Sequence, residues 1–104
     1  MKLYEIKNDE WEENIKYYYS SKKEYNREQF LSIVRYKEKD IPSFIDFEIS
    51  ITYKNLYLDD FLLKELKLNL ENDIIYLIED EWYFKAIFIE TREYYALRIW
   101  ETFA

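Results

Sequence analysis

Asp59-Asp60 followed by Glu65-x-Lys67 is a grouping in this sequence whose residue types could do chemistry. Carboxylates at such a spacing hold Mg²⁺ and a lysine orients the attacking water, as in small metal-dependent nucleases. Glu5-x-Lys7 repeats the second half of the pattern. In a chain this rich in Lys and Glu, a solvated face accounts for both. A second acidic group, Asp9-Glu10 with Glu12-Glu13, falls where a helix would begin. Acids there favour the positive end of the helix dipole, a stabilising role that needs no ligand.

The rest of the usual catalytic inventory is missing. The chain has no histidine, no cysteine and no glycine. That removes the commonest general base, the thiolate nucleophile and thiolate metal ligand, and every glycine-rich phosphate loop or nucleophile elbow. A Ser-Lys pair or a carboxylate pair would still need an enclosing pocket, which a chain of 104 residues rarely forms beside its core. The expectation is a protein that is not an enzyme, with no catalytic residue, no metal site and no cofactor.

Charge points to a binding partner instead. The net charge is −7, unevenly distributed. Residues 16–39 carry seven cations against Glu24, Glu28 and Glu38, whereas residues 59–81 carry eight acids against Lys64 and Lys67. Such an asymmetry steers a partner of opposite charge. Nucleic acid is a poor match, because phosphates demand clustered cations. Tyr17, Tyr18, Tyr19 and Tyr25 interleave with the basic segment, but three adjacent tyrosines cannot share one helix face, and core packing accounts for them better than base stacking.

The expected contact surface is Glu79, Asp80 and Glu81 as an acidic centre, with Trp82 or Tyr83 as an aromatic anchor and Glu71 and Asp73 further out. Tryptophan and tyrosine are enriched at interface hot spots; a strand-initial Trp82 facing the core is the competing reading. In size, charge and lack of catalytic groups the profile resembles bacterial immunity proteins in a general way. That resemblance implies an antitoxin or immunity protein, of bacterial or phage origin, whose carboxylates fill the basic cleft of a nuclease-type toxin or effector. A small metal-dependent nuclease using Asp59, Asp60, Glu65 and Lys67, or an oligomerising scaffold, are the alternatives. The sequence leaves the oligomeric state open.

The elements that must hold this surface follow from periodicity. An apolar fraction of 49% beside 36% charged residues describes one core under a charged surface, a single domain over residues 1–104. Without cysteine, stability rests on packing, as in a reducing cytoplasm. Met1-Lys2-Leu3-Tyr4-Glu5 has no apolar signal region, and no run approaches the length of a membrane helix. A cytoplasmic protein without a membrane partner is expected.

Lys2 to Lys7 reads as a strand. Trp11, Ile15, Tyr18 and Tyr19 supply a helical stripe after an Asn8 or Asp9 cap, and Asn26-Arg27-Glu28-Gln29 a capping box for a second helix running to about Glu38. Ile45 to Tyr53 alternates cleanly, with Phe47, Ile49 and Ile51 inward and Asp46 and Glu48 outward. Asp59 is placed to cap a short helix carrying Phe61, Leu62 and Leu66, and the alternation of Leu66, Leu68 and Leu70 favours a strand. The apolar runs 74–78, 82–89 and 94–100 follow, joined by 79–81 and 90–93. With one proline and no glycine, turns fall to Asn and Asp. The predicted fold is α+β: an antiparallel sheet of four to six strands, its C-terminal part a meander, with two N-terminal helices packed on one face.

Overall fold

The computed structural model describes residues 1–38, 59–69 and 71–103. The expected strand Ile45–Tyr53 lies outside the described residues. Five strands form one antiparallel sheet: β1 (Lys2–Asn8), β2 (Glu13–Ser21), β3 (Ile74–Glu81), β4 (Phe84–Glu90) and β5 (Tyr94–Thr102). Their order is β1-β2-β5-β4-β3, so the strand latest in sequence stands at the centre. One α-helix, α1 (Arg27–Lys37), and a single π-helical turn, Phe61–Glu65, complete the described elements.

The expectation of two N-terminal helices on one face is overturned, because the segment read as the first helix is β2. Its pattern is that of a strand buried on both sides. Ile15, Tyr17 and Tyr19 pack on one face, whereas Tyr18 and the buried Ser20 point to the other. A helix would have aimed the three tyrosines in three directions, but the pleat gives each a packed position on alternating faces. Pairing with β1 from Lys2↔Tyr19 to Asn8↔Glu13 and with β5 from Glu13↔Thr102 to Ser21↔Tyr94 satisfies both of its edges.

Each sheet face has its own cover. On the first, α1 lays Phe30 and Val34 over Tyr18, Ala86, Phe88, Leu97 and Ile99. The Phe30 ring lies 6.0 Å from that of Phe88 and 5.7 Å from that of Tyr95. The capping box is present: Asn26 Oδ1 accepts the Gln29 amide and Gln29 Oε1 accepts the Asn26 amide, both at 2.9 Å. Glu38 closes the helix, and its Oε1 accepts the Tyr18 hydroxyl at 2.6 Å and Lys16 Nζ at 3.4 Å. The helix end is thereby tied to β2.

On the second face, residues 59–69 bring Phe61, Leu62, Leu66 and Leu68 onto Tyr17, Ile75, Ile87, Ile89 and Ala96. Residues 66–69 form no strand, contrary to their alternation; Lys67 turns the chain through φ 54°. Phe61 sits in an aromatic nest, stacked on Tyr4 at 4.2 Å and edge-on to Tyr19 at 5.2 Å. Aromatic pairs of this kind contribute roughly 0.5–1.5 kcal/mol each beyond their buried area.

Asp59 locks this cover to the sheet. Its Oδ1 accepts the Leu62 amide at 2.8 Å, capping the turn as its sequence position predicts. Its Oδ2 accepts the Tyr17 hydroxyl at 2.6 Å, and that hydroxyl in turn accepts Arg98 Nε–H at 3.1 Å. Tyr17 and Arg98 are directly opposite on β2 and β5, and Arg98 is 5% exposed. Burial holds the Tyr17 phenol well above its ordinary range, opposed by Arg98 and reinforced by Asp59. Burial and the carboxylate of Glu38 do the same to Tyr18.

Arg98→Ala leaves Asp59 buried without its cation and is expected to destabilise the fold by about 3–5 kcal/mol, measured by denaturant unfolding. Asp60→Ala, one residue away but exposed, should change it by less than about 0.5 kcal/mol. Equal effects would show that the buried network does not hold the cover.

A second expectation concerns alkali. Above pH 10.0, the ordinary tyrosine value, the unfolded chain loses phenolic protons that Tyr17 retains in the fold. The folded state then binds more protons, so stability falls as pH rises. Tyr17→Phe should flatten that fall by up to about 1.4 kcal/mol per pH unit; an unaltered slope would mean that the phenol titrates normally.

Candidate functional site

The antiparallel registers decide which loops meet. Glu13 pairs with Thr102, Glu101 with Phe84, and Phe84 with Glu81. The β1–β2 turn, the end of β5 and the β3–β4 turn are therefore neighbours along one end of the sheet. Backbone bonds join them directly, with the Phe103 amide donating to Glu12 O at 2.9 Å and the Thr102 amide to Tyr83 O at 3.0 Å.

Large aromatics crowd this end without being covered. Trp82 is 74% exposed, Phe103 70%, Trp11 66% and Tyr83 49%. Trp82 and Tyr83 hold each other edge to face at 5.3 Å. Trp100, half-buried on β5, is the third tryptophan of the chain, so all three belong to this end. Around them stand Asp9, Glu10, Glu12, Glu13, Glu81 and Glu101, with Glu79 and Asp80 in the last residues of β3. Lys7 and Lys85 are the cations in the same strand ends. Glu12 adopts φ 50°, a left-handed conformation uncommon for glutamate, which folds the β1–β2 turn without glycine. Asn8 Oδ1 accepts the Trp11 amide at 3.3 Å and shapes the same turn.

The residues expected to form the contact surface divide between two ends. Glu79, Asp80 and Glu81 belong to β3 rather than to a link, with Asp80 opposite Lys85 and a register irregularity between Leu77 and Glu79. The turn itself is Trp82-Tyr83, so Trp82 does not begin a strand. Glu71 and Asp73 precede β3 and lie at its other end, about 27 Å away for eight extended residues. There the Glu71 amide donates to Asn69 Oδ1 at 3.0 Å, and Asp73 Oδ2 accepts the Asn69 amide at 2.7 Å. Asp73 lines a hollow of ≈ 660 Å³ with Lys22, Lys67 and Arg92. Its charges are mixed, and Lys22 is already paired with Glu90 at 3.3 Å.

Sequence reasoning missed Trp11, Phe103 and Glu101 as members of the surface. The spacing of Trp11 with Ile15, Tyr18 and Tyr19 fits a helical apolar stripe; the acids on both sides of it are the available signal that it lies in a wet turn.

The grouping proposed for metal chemistry does not converge. Asp59 points to Tyr17 in the core, whereas Asp60 faces solvent and pairs with Lys64 at 3.8 Å, with Glu65 and Lys67 also exposed. Among the described residues no cluster of three or more acidic side chains is arranged to hold a metal ion. No described helix is long and apolar enough to cross a membrane.

Tryptophan fluorescence reads this end alone. Among exposed carboxylates a cation is concentrated and an anion depleted, so caesium should quench the emission more efficiently than iodide, and added salt should shrink the difference. Glu10→Lys with Glu81→Lys should narrow it further. Equal quenching by the two ions would show that the carboxylates do not surround the indoles. No family model matches this chain, and neither a curated protein nor a solved structure was found to be similar to it.

Proposed function

We propose that the chain is an acidic protein-binding inhibitor of the immunity-protein or antitoxin kind, without catalytic activity, which acts in the cytoplasm on a nuclease-type toxin or effector with a basic surface. The observation that carries this reading is the gathering at one end of the sheet of four exposed aromatic side chains among acidic residues that outnumber the cations. Exposed aromatics of this size are unusual in a soluble surface unless they meet a partner. Carboxylates around them supply the rest: long-range attraction for encounter and a charged rim that stands where substrate phosphates would lie.

Two segments form the surface, the β1–β2 turn and the β3–β4 turn, and the geometry fits one footprint. Their midpoints are three strand spacings apart, about 14 Å. An interface of standard size, about 800 Å² on each partner, spans both. Glu71 and Asp73, at the far end, stand outside that footprint.

A photo-crosslinking amino acid at Trp82, compared with one at Arg92 at the opposite end, tests the reading in cells that make the protein. The expected result is a single basic partner captured from Trp82 and not from Arg92, whose nuclease or effector activity is lost when the purified chain is added. An acidic partner, or a captured enzyme that stays fully active with the chain bound, rules the inhibitor reading out.

A further inference from the structure

We propose that the aromatic end of the sheet recognises arginine in particular: it takes an exposed arginine-bearing segment of the partner protein, whose guanidinium groups stack on Trp11, Trp82 and Tyr83 while the surrounding carboxylates pair with their N–H groups. This deepens the reading above and rests on it for the partner being a protein.

Several occupants can be weighed against the charges on the page. A second copy of the chain would bring Asp9, Glu10, Glu12, Glu13, Glu81 and Glu101, six carboxylates, against six more, with Lys7 and Lys85 as the cations of the same strand ends on each side. Anionic lipid headgroups and nucleic-acid phosphates meet the same repulsion. A neutral apolar surface would cover the four aromatics but would strip water from the carboxylates between them, which costs several kcal/mol for each unpaired charge. The occupant must therefore be cationic and able to lie against rings.

Between the two cationic side chains the choice follows from hydration and shape. A lysine ammonium is compact and strongly hydrated, and the carboxylates alone would satisfy it. The guanidinium is planar and weakly hydrated, lies flat on an indole, and still presents its edge to carboxylates in bidentate fashion. The arrangement here offers both halves of that contact together. Glu81 immediately precedes Trp82 and Tyr83, and Glu10 and Glu12 flank Trp11. Within the chain a related contact exists, with the Arg98 guanidinium 5.9 Å from the Tyr17 ring centre and 4.0 Å from the Asp59 carboxylate.

Trp82 and Tyr83 rest edge to face and both stay open to solvent, so ring surface is available to a ligand. The turn bearing Trp11 is held by the Phe103–Glu12 backbone bond across a left-handed residue. A turn whose backbone is already held lowers the ordering cost of binding. With about 14 Å between the two turns, arginines four residues apart in an extended segment reach one ring each, since extended chain spans roughly 3.4 Å per residue.

The test uses the full chain and two synthetic peptides of identical length and charge, one carrying arginine and glycine, the other lysine and glycine, with tryptophan emission as the readout. The arginine peptide is expected to bind saturably and at least tenfold more tightly than the lysine peptide at physiological salt. Trp11→Ala with Trp82→Ala should remove that preference, with Trp100 left as the reporter. Tyr36→Ala, an exposed aromatic on α1, serves as the control that leaves it intact. Because Trp11 and Trp82 are exposed, the double variant should unfold at the same denaturant concentration as the parent.

Equal affinity for the two peptides, or an arginine preference that survives loss of both tryptophans, overturns the proposal. The outcome is separable from the fate of the inhibitor reading. A crosslinked partner whose contact surface carries lysine and no arginine removes this inference and leaves the inhibitor reading in place. Arginine selectivity in a chain that captures no protein removes the inhibitor reading and leaves the recognition chemistry standing.

Discussion

Asp59 uses both carboxylate oxygens, one on each side of the boundary between a local turn and the sheet. Oδ1 takes the Leu62 amide, and Oδ2 takes the hydroxyl of Tyr17, which in turn accepts Arg98. A buried guanidinium on the central strand could not be left alone, because an unpaired charge in that environment costs several kcal/mol. Its neutralisation therefore requires the 59–69 segment to sit on the second face, and the same contact that solves the charge problem delivers Phe61, Leu62, Leu66 and Leu68 to the core. The phenol between carboxylate and guanidinium acts as donor to one and acceptor to the other. Only the protonated form can do both, which agrees with the direction in which burial moves it.

The central strands explain why two covers are needed. Ala86-Ile87-Phe88-Ile89 on β4 and Ala96-Leu97-Arg98-Ile99 on β5 are buried at every position. Near-continuous apolar runs of this kind, broken here by Arg98 alone, mark strands enclosed on both faces, not strands with one wet side. That signal stood in the sequence, as did the capping box at Asn26 and the cap at Asp59. Each is a local rule in which side-chain chemistry and spacing determine the outcome without help from distant residues.

The segment Trp11–Tyr19 reads as a helix for a reason that is also physical. Trp11, Ile15, Tyr18 and Tyr19 satisfy helical spacing, while Ile15, Tyr17 and Tyr19 satisfy strand spacing equally well. The choice between them belongs to β5, whose pairing with β2 lies far along the chain and invisible to a local window. The acidic stretch 79–81 reads as a link because charged residues favour surface turns. Here the hydrogen-bond ladder with β4 continues through it, and the turn falls on Trp82-Tyr83, neither of which is a usual turn residue. For the same reason the site was only half legible. The acids and Trp82 could be named from sequence, but their proximity to Trp11 and Phe103 is a product of strand order.

Strand order also bears on how the chain reaches this state. β2 finds its inner partner only when β5 exists, and the contact that joins them, Tyr17 with Arg98, closes a separation of 81 residues. The first hairpin, β1–β2, is a two-stranded unit and by itself marginal in water. Without β5 beside it, the β1–β2 pair has an open tyrosine-rich edge. Such pairing is slow, because the closure entropy of the long loop comes before any of the contacts that reward it. Because β5 is tied to β4 by the short 91–93 link, the long-range contact is the docking of β2 on β5, and a chain in which that contact is open leaves two strand edges free to pair with other copies.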